Sequence, residues 1–299
     1  MNKLIKLLII AVMVTSSFLH IVVSNMDKNQ IVIPIDCNDN SQQVQPTAIN
    51  SIYNNATIIV LSSLIPTHPS IYMIEKTITS IRNMIQGLSN PKIIISIDGL
   101  PPEKQINENF DRLQNYTHAL RKRYHNDISI QILTQYKNLH INNCIRNALE
   151  YVDTKYVYIM QHDFEMVRIV NHTEIIDAME NDPDTLQIVR FDKGVGKGKL
   201  RNYHAVLKQR GCHDRWYKNG TKFVMGRWSD NNHLTTKDYY ERVFRKIGSV
   251  SRPLEHFFLD TRRWPDLDCY FGNQWMYDWD PKNPFLHHLD GRNTEVIQS

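Results

Sequence analysis

The segment KYVYIMQHDFEMVR, Lys155 to Arg168, runs an apolar stretch directly into His162, Asp163 and Glu165. Residues two apart at the end of an extended segment point to the same side, so Asp163 and Glu165 can reach one hard cation together. Mg²⁺ or Mn²⁺ suits such a pair, because these ions favour carboxylate and water ligands and leave positions open for phosphate oxygens. The same residues would also serve an ordinary turn, with Asp163 as its cap and Glu165 solvated. Further on, GRWSDNNHL (226–234) and RPLEHFF (252–258) each set a carboxylate, Asp230 or Glu255, beside aromatic residues. A carboxylate so placed can take a proton from a hydroxyl, or simply favour a helix start.

These residues need a frame. TIIVLSS, from Thr57, is a short β-branched run of the kind found in a sheet buried on both faces. Apolar residues then recur at Ile71, Ile74, Ile78, Ile81, Ile85 and Leu88, one face of a helix that Gly87 and Pro91 end. KIIISI is a second strand, stopping at Asp98, and a helical stripe follows through Ile106, Phe110, Leu113, Leu120 and Tyr124. ISIQIL from Ile128 is a strand, about Ile141 to Val152 a helix, and YVYIM the strand that carries the acid cluster. The order βαβαβαβ implies an α/β fold with a mostly parallel sheet flanked by helices. Ligands bind beyond the carboxyl ends of such strands, which sets Ser62, Asp98, His162, Asp163 and Glu165 along one edge. LQIVRF reads as a further strand, and TTKDYYERVFRKIG as a helix capped by Thr235 or Thr236. Between them, Lys193, Lys197, Lys199 and Arg201 lie on a glycine-rich loop, solvated or closing over a bound anion.

The chain has 299 residues, 41% of them hydrophobic, enough for a large core; a net charge of +4 with both signs interspersed gives no reason to expect nucleic acid. Residues 1–24 place Lys3 and Lys6 before an apolar run from Leu7 to Val23, a signal anchor or signal peptide. That predicts a single-pass type II protein of the secretory pathway with its body in the lumen, or a secreted one if the segment is cleaved. Residues 25–50 are polar and aperiodic, a stem or linker. Sequons at Asn55, Asn115, Asn171 and Asn219 agree with a lumen, although Asn-rich sequence also makes sequons by accident. Cys37, Cys144, Cys212 and Cys269 show no CxxC spacing, which argues against a zinc knuckle; Cys212 with Cys269 is the pair to test first, against buried free thiols.

From Thr57 to Asp163 the runs IVLSS, IIISIDG and NNCIRNALEYVDTKYVYIMQHDFE resemble the nucleotide-sugar-binding half of GT-A fold glycosyltransferases, particularly family-2-like enzymes. The resemblance covers about a hundred residues. It implies a GT-A-like catalytic domain over 51–299, with 51–170 as the donor half and 171–299 as an aromatic-rich acceptor half. It implies that Asp98 accepts hydrogen bonds from the base or ribose, that Arg146 and Asn147 sit near the donor, and that Asp163 holds the last position of a DxD motif. Gln161 stands where the first Asp belongs, so the motif reads QHD. A neutral Gln can hydrogen-bond a ribose but ligates metal weakly, which leaves Asp163 as the main carboxylate ligand, helped by Glu165 or His162. FLHHLDGR, Phe285 to Arg292, resembles a late segment in which a His approaches the metal or diphosphate. Adjacent residues in extended chain point opposite ways, so one of His287 and His288 faces the site, and His288 is taken. Glu255, ahead of Asp230, is the base that an inverting transfer needs.

The implied activity is transfer of a sugar from a nucleotide diphosphate sugar to a hydroxyl on a glycan or glycoprotein, with Mn²⁺ or Mg²⁺ and no nucleic-acid partner. Trp216, Trp228, Trp264, Trp275 and Trp279 would stack on sugars or fill the core. Two other classes stay open. A membrane-tethered carbohydrate-binding protein would keep the aromatics and lose the base; Gln161 is its best argument. A glycoside hydrolase would set two carboxylates roughly 5 to 9 Å apart across a sugar, without a nucleotide site.

Overall fold

β1, Ala56–Ser62, is buried along its whole length, as its β-branched run requires. It is the inner strand of a parallel set: β3 (Ile93–Ile97) and β5 (Tyr156–Gln161) flank it, and β4 (Ile130–Thr134) pairs outside β3. The computed structural model describes residues 54–194, 222–226, 228–248, 253–255, 274–280 and 282–289. Short β-branched strands buried on both faces need helices on both sides, and alternation along the strands divides the core accordingly. Ile58 and Val60 pack with Ile74, Ile78 and Ile81 of α1 (Tyr72–Met84), and with Leu113, Tyr116 and Leu120 of α2 (Asn107–Tyr124). Ile59 and Leu61 face the other way, onto Cys144, Ile145 and Ala148 of α3 (His140–Leu149). Each fully buried Ile contributes roughly 1.5–3 kcal/mol.

α1 stops one turn before its apolar stripe does. Ile85 and Gln86 leave the helix as the short strand β2, and Gly87 follows at φ 89°, a conformation that glycine adopts without strain. β2 pairs with β7 (Val170–Asn171), which leads into α4 (His172–Asn181) with the Asn171 side chain as cap.

The far half of the sheet departs from a simple βα repeat. β10 (His233–Thr236) runs antiparallel between β5 and β8 (Ile188–Arg190); β11 (Gln274–Tyr277) pairs parallel with β8, and β9 (Phe223–Gly226) closes the edge antiparallel. The order is β4-β3-β1-β5-β10-β8-β11-β9, mostly parallel among the described residues, as expected. A second, small sheet pairs β6 (Phe164–Met166) with β12 (Leu286–His288). Thr236 caps α5 (Lys237–Ile247), its Oγ1 accepting the Tyr239 N–H at 3.1 Å. α5 lies on the α3 face, where Tyr239, Tyr240 and Phe244 join the core. Trp228 and Trp275 are core residues too.

The membrane placement is corrected. No helix among the described residues is long and apolar enough to cross a membrane. Residues 1–24 and 25–50, Cys37, Cys212, Cys269, Asn219, Trp216, Trp264 and the loop beyond Gly194 lie outside the described residues. Cys144 is a buried free thiol.

Candidate functional site

A cleft of about 610 Å³ opens beyond the carboxyl ends of β3, β1 and β5, where a parallel sheet presents its ligand edge. Ser62, Asp98, Gln161, His162, Asp163, Asp230 and His288 all line it. β10 explains how Asp230 comes to be there. Because β10 runs antiparallel to β5, its entry segment 229–232 lies at the end where β5 finishes.

Asp98 is 8% exposed and already bonded. Its Oδ1 accepts the N–H groups of Gly99 at 2.9 Å and Leu139 at 2.7 Å, and its Oδ2 accepts Asn138 Nδ2 at 2.9 Å. The carboxylate thus ties the end of β3 to the loop that opens α3. Gly99 lies so close to this loop that a Cβ would stand 2.5 Å from the carbonyl carbon of Lys137. Cys144 packs against the same carboxylate, and burial with the Asp98 charge pushes its thiol up, so it stays a neutral thiol.

Ser62 meets Tyr116 of α2 at 3.0 Å, and the Tyr116 ring stacks on His68 at 3.7 Å. Burial holds His68 neutral, its pKa lowered to about 3. The loop after β1 that forms this wall is clamped by Arg112, whose guanidinium donates to the carbonyls of Ile65 at 2.9 Å, Pro66 at 2.8 Å and His68 at 3.2 Å.

His162 is buried, with Nδ1 3.1 Å from the Leu61 carbonyl. A carbonyl only accepts, so the ring proton sits on Nδ1. Nε2 keeps a lone pair with no hydrogen-bond partner, and burial lowers the ring's pKa.

The expected set Asp163, Glu165 and His288 is not assembled as a trio. A turn at His162–Asp163 separates β5 from β6, so the extended geometry assumed for 163–165 does not hold. Asp163 Oδ2 lies 3.1 Å from His288 Nε2, whereas Glu165 lies across the β6–β12 ladder from His287, at 3.9 Å. Among the described residues no three His, Cys, Asp or Glu side chains are placed to hold a metal ion. The Asp163–His288 pair still fits a divalent cation as two ligands. An oxygen–nitrogen set suits Mn²⁺, and Asp163 Oδ1 is buried without a hydrogen-bond partner.

Asp230 brings a further carboxylate to the cleft. Burial first, and the Glu255 charge second, push its pKa up to about 7, against a backbone N–H of Glu255 that favours the ionised form. Glu255 itself does not line the cleft; its Oε2 lies 3.4 Å from Ser229 Oγ. Gln161 donates from Nε2 to the Asp230 carbonyl at 2.9 Å. Arg146 is exposed and Asn147 donates to Gln135 Oε1 at 3.0 Å; neither lines the cleft.

Sequence reasoning missed Asn138, Tyr116, His68, Arg112 and Gln274. Each acts through a contact distant in sequence. Only Asn138, one residue from the start of a loop-to-helix junction, carried a local signal.

No protein-family model matches the chain, and no curated protein matches it. Among solved structures it is similar to the mannosyltransferase PcManGT from Pyrobaculum calidifontis in complex with GDP-Man and Mn²⁺, with 10% identity and a TM-score of 0.36 over 62% of this chain and 46% of that one. It is also similar to S. aureus TarS 1–349, with 9% identity and a TM-score of 0.43 over 75% of this chain and 58% of that one. The chain spans about half the length of these structures, 46% and 58%.

Proposed function

We propose that the protein is a glycosyltransferase that moves a sugar from a nucleotide diphosphate sugar to a hydroxyl acceptor on a glycan or glycoprotein, with inversion. The observation that carries this reading is Asp230: a carboxylate with its pKa raised to about 7, lining the same cleft as Asp98, Asp163 and His288 at the ligand edge of a parallel sheet. A base poised near neutral pH suits proton removal from a hydroxyl.

The wall from Leu61 to Ile65, with Asp98 to Lys104 and Asn138 to Ile141, takes the nucleotide. Asp98 acts there mainly by fixing the Asn138 side chain and the Leu139 backbone. Asp163 and His288 would hold a divalent cation, which when bound supplies positive charge to the departing diphosphate. Asp230 accepts the acceptor's hydroxyl proton as that oxygen bonds to the anomeric carbon and the bond from that carbon to the diphosphate oxygen breaks. Glu255 keeps Asp230 a strong enough base at neutral pH. This reverses the order in which the sequence ranked the two acids.

The test is thermal unfolding of the chain with a panel of nucleotide diphosphate sugars, with and without Mn²⁺. A ligand that binds only the folded state raises the melting temperature, by an amount equivalent to about 2.7 kcal/mol at a hundredfold excess over Kd. Stabilisation by one nucleotide class is expected, larger with Mn²⁺. Well-folded protein that responds to none would overturn the reading.

A further inference from the structure

We infer that Gln161 is a positioning residue: it is the strut that holds the Asp230 segment against the end of β5, and the amide is there because an acid could not do this. The inference rests on the transferase reading for its kinetic consequences and on geometry alone for its structural one.

The segment Ser229–Asn232 enters β10 outside any helix or strand; the Phe191 N–H holds its last carbonyl, that of Asn232, at 3.0 Å, and side chains hold the residues before it. Two glutamines do. From β11, Gln274 grips Ser229 twice, its Nε2 donating to the carbonyl at 2.7 Å and its Oε1 accepting the N–H at 2.8 Å. From β5, Gln161 holds Asp230 with its side chain and Asn232 with its backbone. Its Nε2 donates to the Asp230 carbonyl at 2.9 Å, and its backbone N–H donates to Asn232 Oδ1 at 2.9 Å. The bond to the Asp230 carbonyl requires an N–H donor, and an ionised Asp or Glu at 161 would turn a lone pair toward another acceptor. A carboxylate there would also add negative charge beside Asp230, which already faces Glu255. The QHD spelling thus marks a division of labour, in which 161 orients the proton acceptor and contributes nothing to a cation.

The test compares Gln161→Ala and Gln161→Glu with the parent protein. Misplacing a reacting group by about 1 Å costs on the order of 100-fold in rate, so kcat should fall by roughly 10- to 100-fold in both variants. The Kd for donor nucleotide, read from thermal shift, should change less than about twofold, since the Gln161 Nε2 is taken by the Asp230 carbonyl. Tenfold weaker donor binding with kcat unchanged would make Gln161 a donor-binding residue and overturn the proposal. Carbon-13 NMR of the aspartate carboxyls supplies a readout independent of transfer. Asp230, identified by loss of its signal in Asp230→Asn, should titrate at a different pH in Gln161→Ala, which adds no charge of its own. If the parent protein binds no donor but this midpoint still moves, the transferase reading fails and the strut stands. An unmoved midpoint refutes the strut whatever the donor result.

Discussion

Asp98 Oδ1 accepts the backbone N–H of Leu139 across 41 residues of chain, at 2.7 Å, and so locks the loop before α3 to the end of β3. Asp98→Asn keeps one acceptor oxygen but turns an NH₂ group toward donors that are already there. Unpaired buried donors cost about 1–3 kcal/mol, and the variant should lose that much unfolding free energy in urea. An Asp98→Asn variant as stable as the parent would show that the loop is held by other contacts.

The Arg112 clamp makes a separate prediction. Three carbonyls of the loop after β1 converge on one planar guanidinium, a geometry that an ammonium group cannot reproduce. Arg112→Lys should therefore destabilise nearly as much as Arg112→Ala, by about 2 kcal/mol. Both should weaken nucleotide binding, because Leu64 and Ile65 of this loop line the cleft. Full rescue of stability and binding by Lys would reduce Arg112 to a point charge.

Much of this frame was legible in the chain itself. β1 and β3 are β-branched runs and β5 an apolar one, all too short for helices, and the stripes of α1 and α2 have helical spacing, so the parallel half and its ligand edge follow from local pattern. The antiparallel half did not. HLTT and QWMY, which form β10 and β11, are four-residue segments whose strand state depends on neighbours already in place. Period-two spacing sets Glu165 on one side with Asp163 only within a single strand, and here a turn at His162–Asp163 intervenes. Asp230 and Glu255 are both legible as candidate acids by residue type, but the raised pKa of Asp230 depends on burial, which is tertiary.

The Asp163–His288 pair predicts which acid serves a cation. In Mn²⁺ titrations followed by thermal shift, Asp163→Ala and His288→Ala should each weaken the response, by at least the roughly 10- to 100-fold that loss of an outer partner costs at metal sites. Glu165→Ala should leave it unchanged, because Glu165 lies with His287 instead. Equal losses in all three variants would reinstate the trio.

The last prediction concerns pH. Asp230 titrates near 3.8 when unperturbed and is pushed up to about 7 in the folded protein, by burial and then by Glu255. Between those values the folded state holds a proton that the unfolded chain has lost. Stability from this group should therefore fall as pH rises from about 4 to about 7 and be level above that, with an upper bound on the order of 4 kcal/mol. Asp230→Asn removes the slope: urea unfolding should find it similar to the parent near pH 4 and more stable near pH 8. On the proposed mechanism transfer runs the other way, since the base must be ionised, and its rate should rise through about pH 7 and vanish in Asp230→Asn. Glu255→Gln removes the like charge beside Asp230, so the rise should move to lower pH while the protein gains stability near pH 8. A Glu255→Gln variant with an unmoved profile would mean that burial alone sets Asp230, and one with no activity at any pH would return the base to Glu255.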